Sequence, residues 1–300
     1  MAPCHVNESL RAISHCSWSV GGKLIISRQK DSTGICCDSD GWYYSISDTG
    51  DPSPITPVPP TPVPFPLVYE AGCGLRLNLG HAVWKIGNAY LKVMAIESKS
   101  TATREHITLR ALRERDVPFT IPEVLYHGEW DGRYYIITSE VPGRSLQQAW
   151  WSMSEEEKEI CVSSVTTICK DLATWHAPTI SGVDGNPLDD PLLLSKHENP
   201  EFSCEAIRNH CIHLGMDCST FVFYHCDLNP GNVIWDAMTK SIGIIDWETA
   251  GFIPKEWIRT KMGKAGAMIL DHDDGDVDQL EWFHRLDQSM QDEGFAFVDM

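Results

Sequence analysis

Residues 221–248 read FVFYHCDLNPGNVIWDAMTKSIGIIDWE, and short apolar runs alternate there with polar residues. The apolar runs predict three short strands, at 221–224, 232–235 and 242–245. Asp227 and Asn232 lie in the loop after the first run, and Asp246 follows the third. Because all three side chains stand at strand ends, we expect them to converge on one point. Two carboxylates and an amide offer the oxygen ligands that suit Mg²⁺ shared with phosphate groups.

These polar positions have the spacing of a kinase catalytic loop, H-x-D-x-x-x-x-N, followed by a metal-binding Asp. HCDLNPGN at 225–232 and IIDWE at 244–248 resemble the aminoglycoside phosphotransferase and choline kinase branch of the kinase-like fold, especially its large fungal set. The resemblance implies an α+β, bilobal protein-kinase-like fold with an antiparallel-sheet N-lobe and a mainly helical C-lobe. The alternative is a β-hairpin in which the Asp and Asn residues only form turns.

The resemblance also implies a role for each polar residue. Asp227 would orient a hydroxyl group and accept its proton, while Asn232 and Asp246 would hold Mg²⁺ against the phosphates of ATP. His225 would support the loop. Cys226 and Asn229 stand where protein kinases often have arginine and lysine, and this difference argues against a protein substrate.

A lysine in the predicted strand 89–96 is the candidate for binding the nucleotide phosphates. Lys92 lies between Leu91 and Val93, so the alternation of a strand turns its side chain away from theirs. Kinases use a strand lysine in this way. The alternative is a solvated lysine on the sheet surface.

The predicted helix 101–115 supplies a partner for that lysine. Glu105, Leu109 and Leu112 share one face by their spacing. A glutamate on a buried face requires a cationic partner, since an unpaired buried charge is costly. We therefore expect Glu105 to pair with Lys92; the alternative is an exposed glutamate.

Residues 139–143, SEVPG, resemble the hinge of the kinase-like fold, where backbone groups bind the adenine edge. Glu140 and Val141 are assigned to this role by position, although Pro142 and Gly143 also suit a plain turn. The glycine-rich phosphate loop of protein kinases has no match in AGCGLRLNLG at 71–80. The aminoglycoside phosphotransferase branch commonly lacks it.

The composition limits the partners. The 300 residues include 42 acidic and 24 basic ones, for a formal charge of −18. Such a charge argues against nucleic acid and favours a cationic acceptor, although acidic surfaces also serve solubility. Eleven cysteines occur without a C-x-x-C pair, and no apolar run has the length of a signal core or a membrane span. We expect a cytoplasmic protein with reduced thiols and no membrane association.

Four segments are predicted: an N-terminal extension of unknown structure at 1–50, a proline-rich linker at 51–66, the N-lobe at 67–143 and the C-lobe at 144–300. The linker, DPSPITPVPPTPVPFP, favours polyproline II and could also bind an SH3 or WW domain. Two further features each allow two interpretations. A cysteine recurs every seven residues at Cys204, Cys211 and Cys218; these three residues form either one buried helix face or the ligands of a zinc ion. The acidic stretch 271–281 leads into a predicted helix at 278–291, or lines a site for a cationic substrate.

The sequence thus predicts a kinase that uses ATP and Mg²⁺ to phosphorylate a hydroxyl group of a small molecule. A helix predicted at 254–261 follows Asp246 closely, and no Ala-Pro-Glu motif intervenes. There is little room for the segment on which protein kinases dock peptides. A protein serine/threonine kinase and a catalytically silent kinase-like binding module are the alternatives.

Overall fold

The computed structural model describes residues 6–30, 34–48, the backbone of 67–72, 80–96, 102–188, 190, 192–193, 203–263, 268–272 and 276–299. The chain divides into two compact units. The first comprises Met1–Ser100 and Glu123–Glu140, and the second comprises Thr101–Pro122 and Val141–Met300. The proline-rich segment 51–66 and most of residues 71–80 lie outside the described residues. The predicted four-segment division stays a prediction.

The first unit begins with a five-stranded antiparallel sheet in the order β1-β2-β3-β5-β4. Its strands are β1 (Leu10–Ser14), β2 (Ser17–Val20), β3 (Leu24–Gln29), β4 (Cys36–Cys37) and β5 (Tyr43–Asp48), after a 3₁₀ turn at Val6–Ser9. The apolar runs LIIS at 24–27 and WYYSI at 42–46 overlap β3 and β5. No structure was predicted for this segment, so the complete sheet is a new finding.

A second five-stranded antiparallel sheet follows, in the order β6-β7-β8-β10-β9. Its strands are β6 (Leu67–Gly72), β7 (Gly80–Ile86), β8 (Ala89–Ala95), β9 (Val124–Trp130) and β10 (Arg133–Ser139). The hairpin between β9 and β10 turns at Asp131 and Gly132, which have φ of 47° and 75°. Two positive φ angles are what a type I′ turn requires, and they explain the Asp-Gly sequence there.

The two sheets share one apolar core. Its largest buried side chains come from both sheets: Trp18, Leu24, Ile26 and Tyr44 from the first, and Trp84, Ile86, Leu91, Val93, Tyr135 and Ile137 from the second. Leu91 and Val93 of β8 face this core, so strand alternation turns Lys92 to the opposite face of the sheet. Lys92 is nevertheless only 9% exposed.

The second unit is mainly helical. Its helices are α1 (Glu105–Glu114), α2 (Leu146–Ala149), α3 (Glu155–Leu172), α4 (Cys204–His213), α5 (Lys255–Met262) and α6 (Glu281–Asp292). A capping box opens α3: the Ser154 hydroxyl accepts a hydrogen bond from the Glu157 N–H, and the Glu157 side chain accepts one from the Ser154 N–H. α3 ends at Leu172 with its C-cap at Ala173, and a short strand begins at His176.

Six short strands complete the second unit: β11 (Arg144–Ser145), β12 (His176–Ala177), β13 (Phe221–Tyr224), β14 (Val233–Asp236), β15 (Ser241–Ile244) and β16 (Gly251–Ile253). They form two three-stranded sheets, β11-β14-β15 and β12-β13-β16. The three strands predicted in 221–248 are therefore present as β13, β14 and β15. β13 lies in a different sheet from the other two, so residues 225–232 connect two sheets.

A partly buried ion pair joins α3 to α6. Lys158 Nζ lies 3.0 Å from Glu281 Oε2, and the Trp150 indole N–H donates to the same oxygen at 2.9 Å. Burial alone would raise the pKa of Glu281, but the hydrogen bonds from Trp150, Lys158 and Arg285 outweigh burial and lower it. No helix in the described ranges is long and apolar enough to cross a membrane.

Candidate active site

The loop between β13 and β14 holds the Asp227 carboxylate by two amide groups. Asn229 Nδ2 and Asn232 Nδ2 each donate to Asp227 Oδ2 at 3.1 Å, and Asn232 Nδ2 also donates to the Asp227 carbonyl at 2.9 Å. The Gly231 N–H donates to Asn229 Oδ1 at 2.8 Å, which fixes that amide in turn. The predicted residues Asp227 and Asn232 therefore lie in direct contact.

His225 links this loop to the end of β15. The Asp227 N–H donates to His225 Nδ1 at 3.1 Å, so the ring proton is on Nε2, which donates to the Ile245 carbonyl at 2.9 Å. The ring also packs edge-on against Trp247, with centroids 4.5 Å apart. Complete burial lowers the pKa of His225, which favours the neutral ring that these bonds require.

The backbone brings Asp246 next to Asn232. The Ile245 N–H donates to the Asn232 carbonyl at 3.0 Å, and Asp246 then turns the chain with a left-handed φ of 66°. Cys226, in the facing loop, also has a left-handed φ of 65°. Non-glycine residues in this region cost about 1–2 kcal/mol each, and such positions concentrate at functional sites.

Three carboxylates gather beside this turn. Ligand oxygens of Glu105, Asp246 and Glu248 all lie within 4.8 Å of one another. Oxygens bound to one Mg²⁺ at about 2.0–2.1 Å lie roughly 3–4 Å apart, which is somewhat closer than the 4.8 Å limit of this set, so a small approach of these side chains would let them hold a divalent cation. Among the described residues this is the one cluster of its kind.

Glu248 was not among the residues predicted for the site. The sequence feature that could have indicated Glu248 is its D-x-E spacing from Asp246. The 3₁₀ turn at Trp247–Thr249 brings Glu248 back to the same site as Asp246. Glu105, at the start of α1, is only 4% exposed, as its predicted buried face requires. Its Oε1 accepts a hydrogen bond from the Trp247 N–H. Lys92 belongs to the first unit and Glu105 to the second, and their pairing stays a prediction.

The two predicted hinge residues stand at the division between the units. Glu140 ends the first unit and Val141 resumes the second. Glu140 Oε1 accepts hydrogen bonds from Lys85 Nζ at 2.5 Å and from the Tyr90 hydroxyl at 3.3 Å. Val141 is buried. Their predicted contact with adenine remains a prediction.

One predicted helix face needs correction. α4 ends at His213, so Cys218 lies beyond the helix and does not continue the face of Cys204 and Cys211. The C-cap at Leu214 and the turn after it end the helix there. Cys211 and Cys218 are both buried, and burial raises the pKa of the Cys211 thiol to about 12.

The chain is similar to a known family and to several solved structures. The model of the Phosphotransferase enzyme family (APH) matches residues 81–254, whereas no curated protein matches the sequence of the chain. One similar solved structure is the gentamicin complex of APH(2")-IIa, at 14% identity and a TM-score of 0.41 over 71% of this chain and 73% of that one. Another is an aminoglycoside-3'-phosphotransferase of type VIII, at 16% identity and a TM-score of 0.40 over 76% and 93%. APH(3'')-Id from Streptomyces rimosus has 15% identity and a TM-score of 0.37 over 75% and 92%.

The matched residues contain the loop with Asp227, the turn at Asp246 and the strand with Lys92. They amount to more than half of the 300 residues. Helices, antiparallel sheets and the family match together confirm the predicted α+β, kinase-like fold class. The chain belongs to the phosphotransferase enzyme family.

Proposed function

We propose that the protein transfers the γ-phosphoryl group of ATP, in the presence of Mg²⁺, to a hydroxyl group of a small molecule. The observation that carries this proposal is the loop in which Asn229 and Asn232 hold the Asp227 carboxylate. This loop is joined to the turn that contains Asp246. Phosphoryl transfer asks for alignment and charge stabilisation more than for covalent catalysis, and an arrangement of this kind supplies both.

Asp227 is the residue that would act on the acceptor. Both amides hold its Oδ2, so we assign Oδ1 to the hydroxyl group that attacks. There it would orient the oxygen and accept the proton as the bond to phosphorus forms. His225 would keep the loop in place because it bonds to the Asp227 N–H and to the Ile245 carbonyl.

Asn232 and Asp246 would hold Mg²⁺, with Glu248 as a further carboxylate ligand. Asn232 uses its amide nitrogen on Asp227, which leaves its carbonyl oxygen as the atom to offer a cation. Glu105 would orient Asp246 through the Trp247 N–H. When bound, the ion would neutralise charge on the phosphates of ATP.

The remaining residues are assigned to the nucleotide. Lys92, buried on its sheet, would contact the phosphates with its ammonium group. Glu140 and Val141 would bind the adenine edge through their backbone groups. The nine cysteines among the described residues are all free thiols, which supports the cytoplasmic location that we propose.

The acceptor in this proposal is a small molecule rather than a protein. α5 begins at Lys255, shortly after Asp246, and the strand β16 fills part of that interval. This leaves little chain for a peptide-docking segment. The net charge of −18 favours an acceptor that carries positive charge.

The test is a screen of hydroxyl-bearing metabolites for ATP consumption, followed by Asp227→Ala and Asp227→Asn. With a true acceptor, both variants should lower turnover by about a hundredfold to ten-thousandfold, while the Kd for Mg·ATP stays within about twofold. Asp236→Asn is the matched control, since Asp236 forms only an exposed turn with Met238 and Thr239.

Unchanged turnover in the Asp227 variants would refute the assigned role. Phosphorylation of peptides on an array in place of small molecules would favour a protein kinase. Failure of millimolar Mg·ATP to raise the unfolding temperature would favour a silent binding module, because a bound nucleotide stabilises by mass action.

A further inference from the structure

A two-residue turn in the first unit contacts both its N-terminal sheet and the segment assigned to adenine. Gly87 and Asn88 join β7 to β8, and Gly87 has a φ of 58°. Glycine at the first position of such a loop is typical of a type II′ turn. A Cβ atom on Gly87 would overlap the Cys37 carbonyl oxygen. Glycine is thus required both for the turn and for its close approach to β4.

Asn88 binds β4 by a reciprocal pair of hydrogen bonds. The Cys37 N–H donates to Asn88 Oδ1 at 2.9 Å, and the Asn88 N–H donates to the Cys37 carbonyl at 2.8 Å. The neighbouring thiol adds a third contact, from Cys36 Sγ to the Ile86 carbonyl at 3.3 Å. The N-terminal sheet therefore fixes the position and the orientation of this turn.

The same turn holds the end of β10. The Glu140 N–H donates to the Asn88 carbonyl at 2.8 Å, and the Glu140 side chain bonds to Lys85 and Tyr90 on the two strands that the turn connects. Hydrogen bonds thus run from Cys37 through Asn88 to Glu140. We call these three residues the Asn88 clamp.

The clamp limits what Glu140 can offer a purine base. Its N–H donates within the protein, as does the Ser139 N–H, which bonds to the Glu123 carbonyl at 2.8 Å. Glu140 can therefore present only its carbonyl oxygen, which suits the exocyclic amine of adenine. The direction of that oxygen depends on how firmly the preceding peptide is held.

We propose that the N-terminal sheet is a working part of the nucleotide site, and that Asn88 is a positioning residue that holds Glu140 for adenine through the Asn88 clamp. This inference rests on the proposed function. It assigns to residues 6–48, which precede the matched family region at 81–254, a role in base recognition rather than in phosphoryl transfer.

The test compares Asn88→Ala with Asn88→Asp, which keeps an oxygen to accept the Cys37 N–H. The probes are Mg·ATP and Mg·tripolyphosphate, with binding measured by calorimetry on the full chain. Asn88→Ala should raise the Kd for Mg·ATP by about threefold to tenfold, which corresponds to the free energy of one hydrogen bond. Asn88→Asp should restore most of that affinity, and tripolyphosphate should bind all variants alike, since it has no base.

Gln29→Ala is the control, because it removes a bond to Ser45 within the same sheet but away from the turn; it should bind both probes as the unaltered protein does. If Asn88→Ala lowers the affinity for both probes equally, the effect is a general structural one and the inference is overturned. Unchanged Mg·ATP binding by Asn88→Ala would overturn it while the proposed function stands. If the unaltered protein binds neither probe, the proposed function fails first.

Discussion

The backbone N–H of Trp247 donates a 3.1 Å hydrogen bond to the Glu105 carboxylate, and the bond is buried. Glu105 is the first residue of α1, where a negative charge also complements the helix dipole. A helix terminus and the turn after β15 are thereby fixed against each other. The turn carries Asp246 and Glu248, so the bond sets the spacing of the carboxylate cluster.

Glu105→Gln should weaken metal binding more than it weakens folding. The amide keeps an oxygen for the Trp247 N–H but removes one negative charge from the cluster. We expect the Mg²⁺ concentration for half-maximal turnover to rise by about tenfold to a hundredfold, as for other residues that orient metal ligands. Mn²⁺ titration followed by electron paramagnetic resonance checks this directly. Unaltered Mn²⁺ affinity would contradict the placement of Glu105 at the cation site.

Gly182→Ala should disturb the cluster from a distance. A Cβ atom on residue 182 would overlap Thr103 Oγ1. Thr103 lies two residues before Glu105 in the chain, and its hydroxyl donates a hydrogen bond to Asp184 at 2.6 Å. Overpacking of this kind costs about 1–3 kcal/mol, and displacement of α1 should also raise the Mg²⁺ requirement. Urea denaturation and the same Mn²⁺ titration measure the two effects.

The matched control for this variant is Gly185→Ala. Gly185 has a positive φ of 83° but no neighbouring atom where a Cβ would stand. It should lose only about 1 kcal/mol of stability from backbone strain and should keep its Mg²⁺ requirement. If both variants change the Mg²⁺ requirement equally, the contact of Gly182 with Thr103 has no special role.

Lys92→Met should impair phosphate binding while the sheet survives. Methionine is close to the lysine stem in length and suits a buried strand position. We expect kcat/KM for ATP to fall by at least about tenfold, because the charge that would face the phosphates is lost. Lys30→Met, at an exposed end of the N-terminal sheet, should leave kcat/KM unchanged. An equal loss in both variants would argue against a phosphate contact by Lys92.

Glu281→Gln should destabilise the second unit in a pH-dependent way. The change removes the closer carboxylate partner of the buried Lys158 and leaves only the 3.5 Å pair with the exposed Glu155, which should cost about 1–3 kcal/mol at pH 7. The folded-state pKa of Glu281 lies below the ordinary value of 4.5. Its stabilising effect is therefore complete above the unfolded-state pKa, and it disappears as the pH falls through the lower folded-state value.

Urea denaturation between pH 7 and pH 3 measures that difference. The gap in unfolding free energy between Glu281→Gln and the unaltered protein should narrow below about pH 4.5. Glu155→Gln is the control, since Glu155 is exposed and pairs with Arg285 and Lys158 on the surface. It should change stability by less than about 1 kcal/mol at any pH. A gap for Glu281→Gln that does not vary with pH would contradict the assigned titration.

Sequence reasoning succeeded where the determinants are local. The strands around Asp227, the strand that carries Lys92 and the helix α5 after Asp246 each follow from patterns of neighbouring residues. These elements were enough to predict the α+β fold class and the loop that contains Asp227 and Asn232. The family resemblance supplied the roles that spacing by itself leaves open.

Sequence reasoning failed where the burial of a residue depends on residues that are distant in the chain. Trp18 and Tyr44 are core residues because the apolar cluster to which they belong also includes residues of another sheet, among them Trp84 and Leu91. Glu248 joins the carboxylate cluster only because a 3₁₀ turn and the first residue of α1 meet. Periodicity reports which face of an element is apolar, but it does not report what lies against that face.

The shared core of the first unit has a consequence for synthesis on the ribosome. Residues 10–48 emerge first, but the residues that cover their apolar face extend to Ile137. At translation rates of about 5–20 residues per second, that face stays uncovered for roughly 5–20 s. The nascent chain is most exposed to aggregation during this interval, and a chaperone that holds it would be most effective then.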